Sequence, residues 1–237
     1  MRHHYRLIYL LVFSLFLTNN IFSQESSVLS TGDWYKISVD EDGIHKIDYA
    51  DLQELGVNLS NLVISDIALF GNGGGMLPKL NSDFRYNNIQ ENRIQIFDQN
   101  ENGIFENGDY ILFFGQSPDR WELNESNQLF EFHKHLYSDK TYYFLTTTMS
   151  DQLERKRILQ KDIEINYSGI ITTFNDYQVH EKENINLIGS GSVWYGEIFE
   201  IEKSHSIPFN FNSPEFSSPA YIKSSVAARS LNPSTFT

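Results

Sequence analysis

The sequence predicts an all-β protein. After its first 23 residues the chain is rich in Tyr, Phe, Ile, Asn, Ser and Gly, the residues of strands and tight turns. Short runs that alternate apolar and polar side chains recur along it, and clusters of Gly, Asn and Asp separate them. Only one segment after residue 23 has the pattern of a helix. We therefore expect a signal peptide, a β-rich N-terminal domain and the start of a β-sandwich.

Residues 1–23 have the three parts of a cleavable export signal. Arg2 and Arg6 form a basic start, residues 7–17 are apolar except for Ser14, and a more polar stretch ends at Ser23, the expected cleavage point. This apolar run is shorter than the ~20 helical residues that cross a bilayer. The alternative is a buried helix at the N-terminus. We expect an exported protein without a transmembrane helix after cleavage.

Charge and cysteine content exclude several functions. The chain has 18 basic and 31 acidic residues, a formal net charge of −13. Nucleic-acid binding depends on Lys and Arg, so a nucleic-acid partner is not expected. There is no cysteine. The chain therefore forms no disulfide, supplies no thiolate to a metal and has no cysteine nucleophile.

The first domain is expected to span residues 24–150. Residues 34–39 alternate and end at a turn, and the pattern resumes over 44–47, which together predict a hairpin. Asp48 is a predicted N-cap for a helix over 49–55, which Gly56 ends. Further strands are expected in this domain over 64–70, 93–97, 110–114 and 141–147.

A second domain is expected over residues 151–237. The boundary is placed in a charged stretch, 149–161, which contains Arg155, Lys156 and Arg157. Aromatic and β-branched runs beyond it predict strands over 163–167, from Tyr177, and over 192–199, 207–211 and 220–227. A sandwich takes about seven strands, so we expect that the sequence is truncated at its C-terminal end.

The most specific motif is the loop between the strands predicted over 93–97 and 110–114. Oxygen-bearing side chains occupy positions 1, 3, 5, 9 and 12 of a twelve-residue pattern, with Gly103 at position 6 and the Ile104 carbonyl at position 7. The side chains are those of Asp98, Asn100, Asn102, Glu106 and Asp109. This spacing wraps Ca²⁺ in EF-hand loops. Here the loop ends in Asp and lies between strands, and the alternative is a polar turn whose Asn and Asp bond their own backbone. Any site is expected to be weak and structural.

Other motifs favour structural roles. The glycine cluster over 71–75 lacks the third glycine of a dinucleotide loop, so it predicts a turn with positive φ. The segment that begins at His180 resembles a zinc-protease helix but lacks the second histidine. His133 and His135 share a face without a third ligand, and we expect them to face solvent. We expect three tryptophans, Trp34, Trp121 and Trp194, to be core residues; the alternative is a platform that stacks on sugars.

Several phrases resemble one family in order and spacing. They are GDWYKI at 32–37, GIHKIDY at 43–49, LFGNGGGMLP at 69–78, GDYILFFGQ at 108–116, YSD and YYFLT over 137–146, HEKENIN at 180–186 and WYGE at 194–197. They are similar to the N-terminal region of PorU-type sortases, cell-surface proteins of the Bacteroidetes type IX secretion system. The resemblance covers essentially the whole chain after the signal.

The resemblance implies an enzyme whose catalytic part lies outside this sequence. The family is similar to gingipains, cysteine peptidases with a Cys–His pair in a caspase-like domain. Its members remove C-terminal sorting domains from secreted cargo and join the new carboxyl end to an anionic lipopolysaccharide through a thioester. They work with an outer-membrane β-barrel partner. No family catalytic residue maps onto this chain.

We therefore expect a non-catalytic N-terminal fragment of a type IX sortase, at the cell surface. The sequence contains no catalytic residues and no cofactor-binding residues that we can assign, and structural Ca²⁺ is the one cofactor it suggests. The alternative function is a secreted, calcium-stabilised β-domain that binds glycan or a surface protein without catalysis.

Overall fold

The structure, a computed structural model, describes residues 26–148, 154–161 and 169–236. The predicted signal peptide lies outside the described residues. The described chain divides into two compact units. The first contains residues 26–73, 77–116, 141–148 and 154–158, and the second contains 74–76, 117–140, 159–161 and 169–236. The predicted boundary at 150 adjoins residues 149–153, which are not described, and it stays a prediction.

The regular structure is mostly antiparallel β, as the sequence predicts. One short α-helix, α1, spans Tyr49–Glu54. The strands are β1 Trp34–Val39, β2 Gly43–Asp48, β3 Ala68–Phe70, β4 Glu91–Asn92, β5 Ile94–Phe97, β6 Tyr110–Gly115, β7 Arg120–Asn124, β8 Leu129–His133 and β9 Thr141–Thr146. Within the described residues, no helix is long and apolar enough to cross a membrane.

The first unit contains two sheets. The four-stranded sheet has the order β1-β9-β3-β4, and the three-stranded sheet has the order β2-β6-β5. In the second sheet β6 is central, and its side chains alternate between the core and the outer face. Ile111 and Phe113 are fully buried, whereas Phe114 is exposed. Because of this alternation, only one face of β6 is buried although nearly all of its residues are apolar.

The prediction that 34–39 and 44–47 form a hairpin is wrong. Both strands exist, but β1 pairs with β9 and β2 pairs with β6, each over six residue pairs. The turn after Val39 therefore moves the chain from one sheet to the other. Alternation predicts that a segment is a strand, but it does not predict the partner, and here the distant partners form the longer ladders. The segment 64–70 is also shorter as a strand than predicted, because Ile64–Asp66 forms a 3₁₀ turn before β3.

The α1 helix begins at the predicted residue and ends one residue before the predicted end. The Asp48 carboxylate accepts the N–H groups of Ala50 and Asp51, and the Asp51 carboxylate accepts the Asp48 N–H, which completes a capping box. Gly56 follows with φ of +80°, the left-handed conformation that ends helices. The helix buries Leu52 completely.

The core of the first unit lies between the two sheets and α1. It is one cluster of large apolar side chains: Val39, Ile47, Leu52, Val57, Leu62, Ile67, Leu69, Ile94, Phe105, Ile111, Phe113, Tyr143 and Leu145. The rings of Phe113 and Tyr143 meet edge to face with centroids 5.2 Å apart. Tyr143 is buried to its hydroxyl oxygen, which accepts the Gln116 N–H at 3.0 Å. The two sheets are thus joined by their central side chains.

The basic segment that the sequence places at a domain boundary is part of the first unit. Arg157 forms a parallel bridge with Ile94 of β5, and Ile158 donates its N–H to the Ile94 carbonyl at 2.9 Å. The Arg157 guanidinium reaches further and donates to the carbonyls of Ile64 at 2.9 Å and Ile67 at 3.0 Å. Burial, and to a smaller degree the nearby Arg155, lowers the pKa of Arg157. A half-buried cation therefore holds the 3₁₀ turn against the sheet edge.

The second unit contains the hairpin β7–β8, which the sequence analysis did not predict. Trp121 of β7 lies opposite Phe132 of β8, and the Tyr177 ring packs on both Trp121 and Phe130. Asp119 precedes the hairpin and bonds the Lys134 ammonium at 3.1 Å and the His135 N–H at 2.8 Å. The carboxylate thus bonds the residues that follow β8 at the open end of the hairpin, and the aromatic cluster packs Tyr177 on its strands.

The strands predicted beyond Tyr177 are not formed. Residues 169–236 contain no strand, and the isolated bridge between Ile185 and Tyr195 is the one β-pairing there. The segment predicted over 163–167 lies outside the described residues. Large apolar side chains are exposed along this part of the chain, among them Ile171, Phe174, Ile201, Phe216 and Ile222. A strand needs a neighbour to complete its hydrogen bonds, so an alternating pattern without one does not form a ladder.

Candidate functional site

The twelve-residue loop 98–109 joins β5 to β6, as the sequence predicts. Its fold is set at two points. Phe105 is buried in the core and donates its N–H to the Leu62 carbonyl at 2.7 Å. Gly103, with φ of +78°, accepts the Ile64 N–H through its carbonyl at 3.0 Å. These contacts fix the middle of the loop against the 62–64 segment.

Asp109 closes the loop. The residue is 3% exposed, and its carboxylate accepts the Gln99 N–H at 2.9 Å and the Glu106 N–H at 2.7 Å. One side chain at the end of the loop therefore bonds the backbone near its start and near its last turn. Charge-assisted bonds of this kind are stronger than those between neutral groups.

Asparagine at position 109 is expected to weaken the first unit. Asp109→Asn keeps the shape of the side chain but turns an amide N–H toward a backbone N–H, so one buried donor loses its acceptor. Because such a loss costs about 1–3 kcal/mol, we expect urea unfolding in a chelator to show a drop of that size in the free energy of unfolding. Asp83→Asn, the same change at an exposed site, is the matched control. An unchanged midpoint for Asp109→Asn would contradict this role.

The other predicted ligands form hydrogen bonds within the loop. Asp98 uses one carboxylate oxygen, Oδ2, to accept the Gly103 N–H at 2.8 Å. Its second oxygen, Oδ1, is buried and has no hydrogen-bond partner. The amides of Asn100 and Asn102 both donate to Glu106 Oε2, at 2.9 and 3.4 Å. The structure thus joins positions 3, 5 and 9 of the pattern by hydrogen bonds, and position 1 bonds the backbone at position 6.

The loop also fits part of the alternative interpretation. Asn100 Oδ1 accepts the Asn102 N–H at 3.3 Å, and Asn102 Oδ1 accepts the Ile104 N–H at 2.7 Å. These are the local side-chain-to-backbone bonds of polar turns. In the described chain no group of three His, Cys, Asp or Glu side chains converges as a metal site. Calcium binding by this loop therefore stays a prediction.

The glycine cluster forms the turn that the sequence predicts. Gly73 and Gly75 have φ of +79° and +90°. Gly71 is required for a different reason: a Cβ there would lie 2.7 Å from Cδ1 of the buried Tyr143 ring. The cluster is thus shaped by backbone conformation and a close approach, and it opens no helix that would bind phosphate.

A cleft of about 400 Å³ lies beside this cluster in the first unit. It is lined by Gly71, Asn72, Gly73, Tyr86, Gln90, Asn92, Arg93, Phe114, Gln116 and Tyr143. Its amides are used by the fold, since Asn92 donates to the Gly71 carbonyl and Asn72 accepts the Gln90 N–H. The lining contains no carboxylate, imidazole or aliphatic hydroxyl, so this cleft does not supply a nucleophile together with a base.

The histidines of the second unit that the sequence singles out have polar neighbours within the protein. His180 Nε2 lies 2.8 Å from Glu197 Oε1, and Lys182 Nζ lies 3.2 Å from the same oxygen. Hydrogen bonds from His180 and Lys182 lower the pKa of Glu197 to about 2. His135 Nδ1 accepts the Ser138 N–H, and His133 lies 3.7 Å from Glu122. The predicted solvent-facing pair of histidines thus has two separate sets of neighbours.

The tryptophans make separate contacts. Trp34 packs edge to face on Phe70 in the first unit and donates its indole N–H to the Thr31 carbonyl. Trp121 lies in the aromatic cluster of the second unit, and Trp194 is half exposed. Trp34 and Trp121 thus pack on other aromatic rings, but none of the three tryptophans is a buried core residue, so that prediction is wrong.

Among known proteins, the chain is similar to a solved structure but not to any family profile or curated sequence. No protein-family profile matches the chain, and no curated protein sequence is significantly similar to it. Among solved structures, the crystal structure of dimeric latent PorU from Porphyromonas gingivalis matches with a TM-score of 0.52 and 24% sequence identity. The match covers 73% of this chain and 14% of the PorU chain.

The chain has a PorU-like fold. At this identity the likeness concerns the fold, and it agrees with the resemblance carried by the sequence phrases. Because the matched part is 14% of the PorU chain, most of PorU lies outside the shared region.

Proposed function

We propose that this chain is a non-catalytic N-terminal region of a type IX secretion system sortase. The observation that carries the proposal is the shared fold with part of PorU, together with the ordered sequence phrases. A chain without cysteine does not perform cysteine-peptidase chemistry itself. Its role in the parent protein is to brace or dock the catalytic domain.

The parent protein is, on this proposal, a cysteine endopeptidase and transpeptidase. It removes the C-terminal sorting domains of secreted cargo at the cell surface. Export through the periplasm, an outer-membrane β-barrel partner and the cargo proteins belong to the same proposal. The acidic composition of the chain agrees with a protein partner more than with nucleic acid.

The outer face of the three-stranded sheet supports a docking role. Ile44 and Phe114 lie opposite each other on β2 and β6 and are 65% and 52% exposed, and Phe97 of β5 stacks on Tyr110. An adjacent apolar set on a sheet marks a protein contact more often than scattered exposed side chains do. We assign this face to another part of the same parent polypeptide, because most of the PorU chain lies outside the matched region.

The experiment compares cargo processing in cells that carry variants of the full-length parent. Removal of residues 24–237 is expected to leave cargo with its sorting domain attached, detected by immunoblot. Phe114→Glu is expected to reduce processing several-fold, since it places a charge in the docking face. Leu80→Glu, at an exposed loop residue outside that face, is the matched control. Normal processing by the deletion variant would contradict the proposal.

The alternative is a secreted, calcium-stabilised β-domain that binds glycan or a surface protein without catalysis. It predicts that cargo processing does not depend on this chain. A glycan array or a surface pull-down with the full chain would then give a ligand, and the deletion would leave the sorting domain correctly removed. The same processing assay therefore separates the two functions.

A further inference from the structure

We propose that the loop 98–109 binds one Ca²⁺ ion, with Asp98 Oδ1 as the first ligand. The site stabilises the first unit and is independent of the sortase assignment. The oxygen ligands are the side chains of Asp98, Asn100, Asn102 and Glu106 and the backbone carbonyl of Ile104. Asp109 acts as a positioning residue.

The unpartnered oxygen of Asp98 is the observation that carries the site. Oδ2 of the same carboxylate accepts the N–H of Gly103, at position 6 of the loop. The other oxygen, Oδ1, is buried without a hydrogen bond. Within the described residues it is the one buried side-chain polar atom that lacks a partner. A buried carboxylate oxygen without a donor is costly, and a cation at that position removes the cost.

The remaining side-chain ligands bond one another within the loop. Asn100 and Asn102 both contact Glu106, so positions 3, 5 and 9 of the loop already converge. Each amide oxygen accepts one backbone N–H and keeps a second lone pair, which a cation can use. Hard cations such as Ca²⁺ take carboxylate, amide and carbonyl oxygens together. The site therefore does not need three converging acidic side chains.

Charge favours the same conclusion. The loop sequence contains four acidic residues, Asp98, Glu101, Glu106 and Asp109, and no basic residue. Their mutual repulsion is relieved by a divalent cation. Only two of the proposed ligands are carboxylates. We therefore expect a Kd for Ca²⁺ on the order of 10⁻⁴–10⁻³ M, as in extracellular modules. Mg²⁺ demands stricter octahedral geometry and is expected to bind more weakly.

Two measurements on the full chain test the site. Adding about 5 mM Ca²⁺ after chelation is expected to raise the Tm of the first unit by roughly 5 °C, because a ligand that binds only the folded state stabilises it. Terbium, a luminescent substitute for Ca²⁺, is expected to give emission sensitised by Tyr110, which directly follows the loop. Competition with Ca²⁺ should abolish that emission.

Variants make the test specific to the loop. Asp98→Asn is expected to abolish the Ca²⁺-dependent rise in Tm, and Glu106→Gln, at an exposed position, to weaken affinity about tenfold by removing one charged ligand. Asp83→Asn is the control for loss of charge elsewhere in the unit. The proposal would be wrong if Ca²⁺ left the wild-type Tm unchanged, or if Ca²⁺ raised the Tm of Asp98→Asn as much as that of the wild type. Either result leaves the cargo-processing test of the sortase proposal unaffected.

Discussion

Phe113→Ala is expected to lower the free energy of unfolding of the first unit by about 3–5 kcal/mol. Phe113 lies on the central strand β6, is fully buried and contacts the rings of Tyr143 and His45. Its removal leaves a cavity between the two sheets that the surrounding strands cannot close, since their backbones are held by ladders. The loss combines transfer of the ring to water with the cost of the cavity.

The neighbouring residue provides a matched control for Phe113. Phe114 is on the same strand and has the same side chain, but it lies on the outer face and is 52% exposed. Phe114→Ala is expected to cost less than about 1 kcal/mol, as surface substitutions do. Urea unfolding monitored by tryptophan fluorescence measures both variants. Equal losses for the two would contradict the assignment of Phe113 to the core and Phe114 to the outer face.

Arg157→Ala is expected to destabilise the first unit by about 2–3 kcal/mol. The guanidinium donates to the carbonyls of Ile64 and Ile67, and hydrogen bonds to charged groups are worth more than those to neutral groups. Alanine leaves those carbonyls without the donor and opens the contact of the 154–158 segment with β5. The segment is expected to become sensitive to trypsin, which cleaves after Lys156.

Lysine at position 157 tests whether geometry or charge matters. Arg157→Lys keeps the positive charge but lacks the planar guanidinium that donates to both carbonyls. We therefore expect it to lower the free energy of unfolding by more than half as much as Arg157→Ala does. Arg85→Ala, at an exposed arginine that bonds Asn81, is the control and is expected to change stability by less than about 0.5 kcal/mol. If Arg157→Ala behaved like Arg85→Ala, the assigned role of the guanidinium would be wrong.

The sequence predicts the strands better than their pairing. Alternation and β-branched or aromatic content locate β1, β2, β5, β6 and β9, and the Asp48 cap locates α1. The β1–β2 hairpin was predicted from proximity in sequence, yet each strand has a partner far along the chain. Partner choice depends on the summed packing of the assembled core, which no local window contains.

The second half of the chain shows the limit of local patterns. Residues 192–199 and 207–211 have strand-like composition but no neighbouring strand in the described residues, so they form no ladder. The opposite error occurs at β7 and β8, whose charged side chains obscure the alternation. Trp121 opposite Phe132 is the signal that identifies this hairpin.

The candidate site was predictable in position and less so in detail. The spacing of oxygen-bearing residues located the loop between β5 and β6. The anchoring of Gly103 and Phe105 depends on contacts with residues 62–64, which are distant in sequence. The role of Arg157 was missed for the same reason, because a run of basic residues is more typical of a solvated linker.

The most direct test of the sortase proposal is the reading frame beyond the codon for Thr237. We expect the natural transcript to continue into a domain that carries a cysteine and a histidine in the arrangement of a gingipain-like peptidase. Sequencing the transcript and aligning its translation with PorU measures this. A stop codon shortly after Thr237, or several hundred further residues without such a domain, would contradict the proposal.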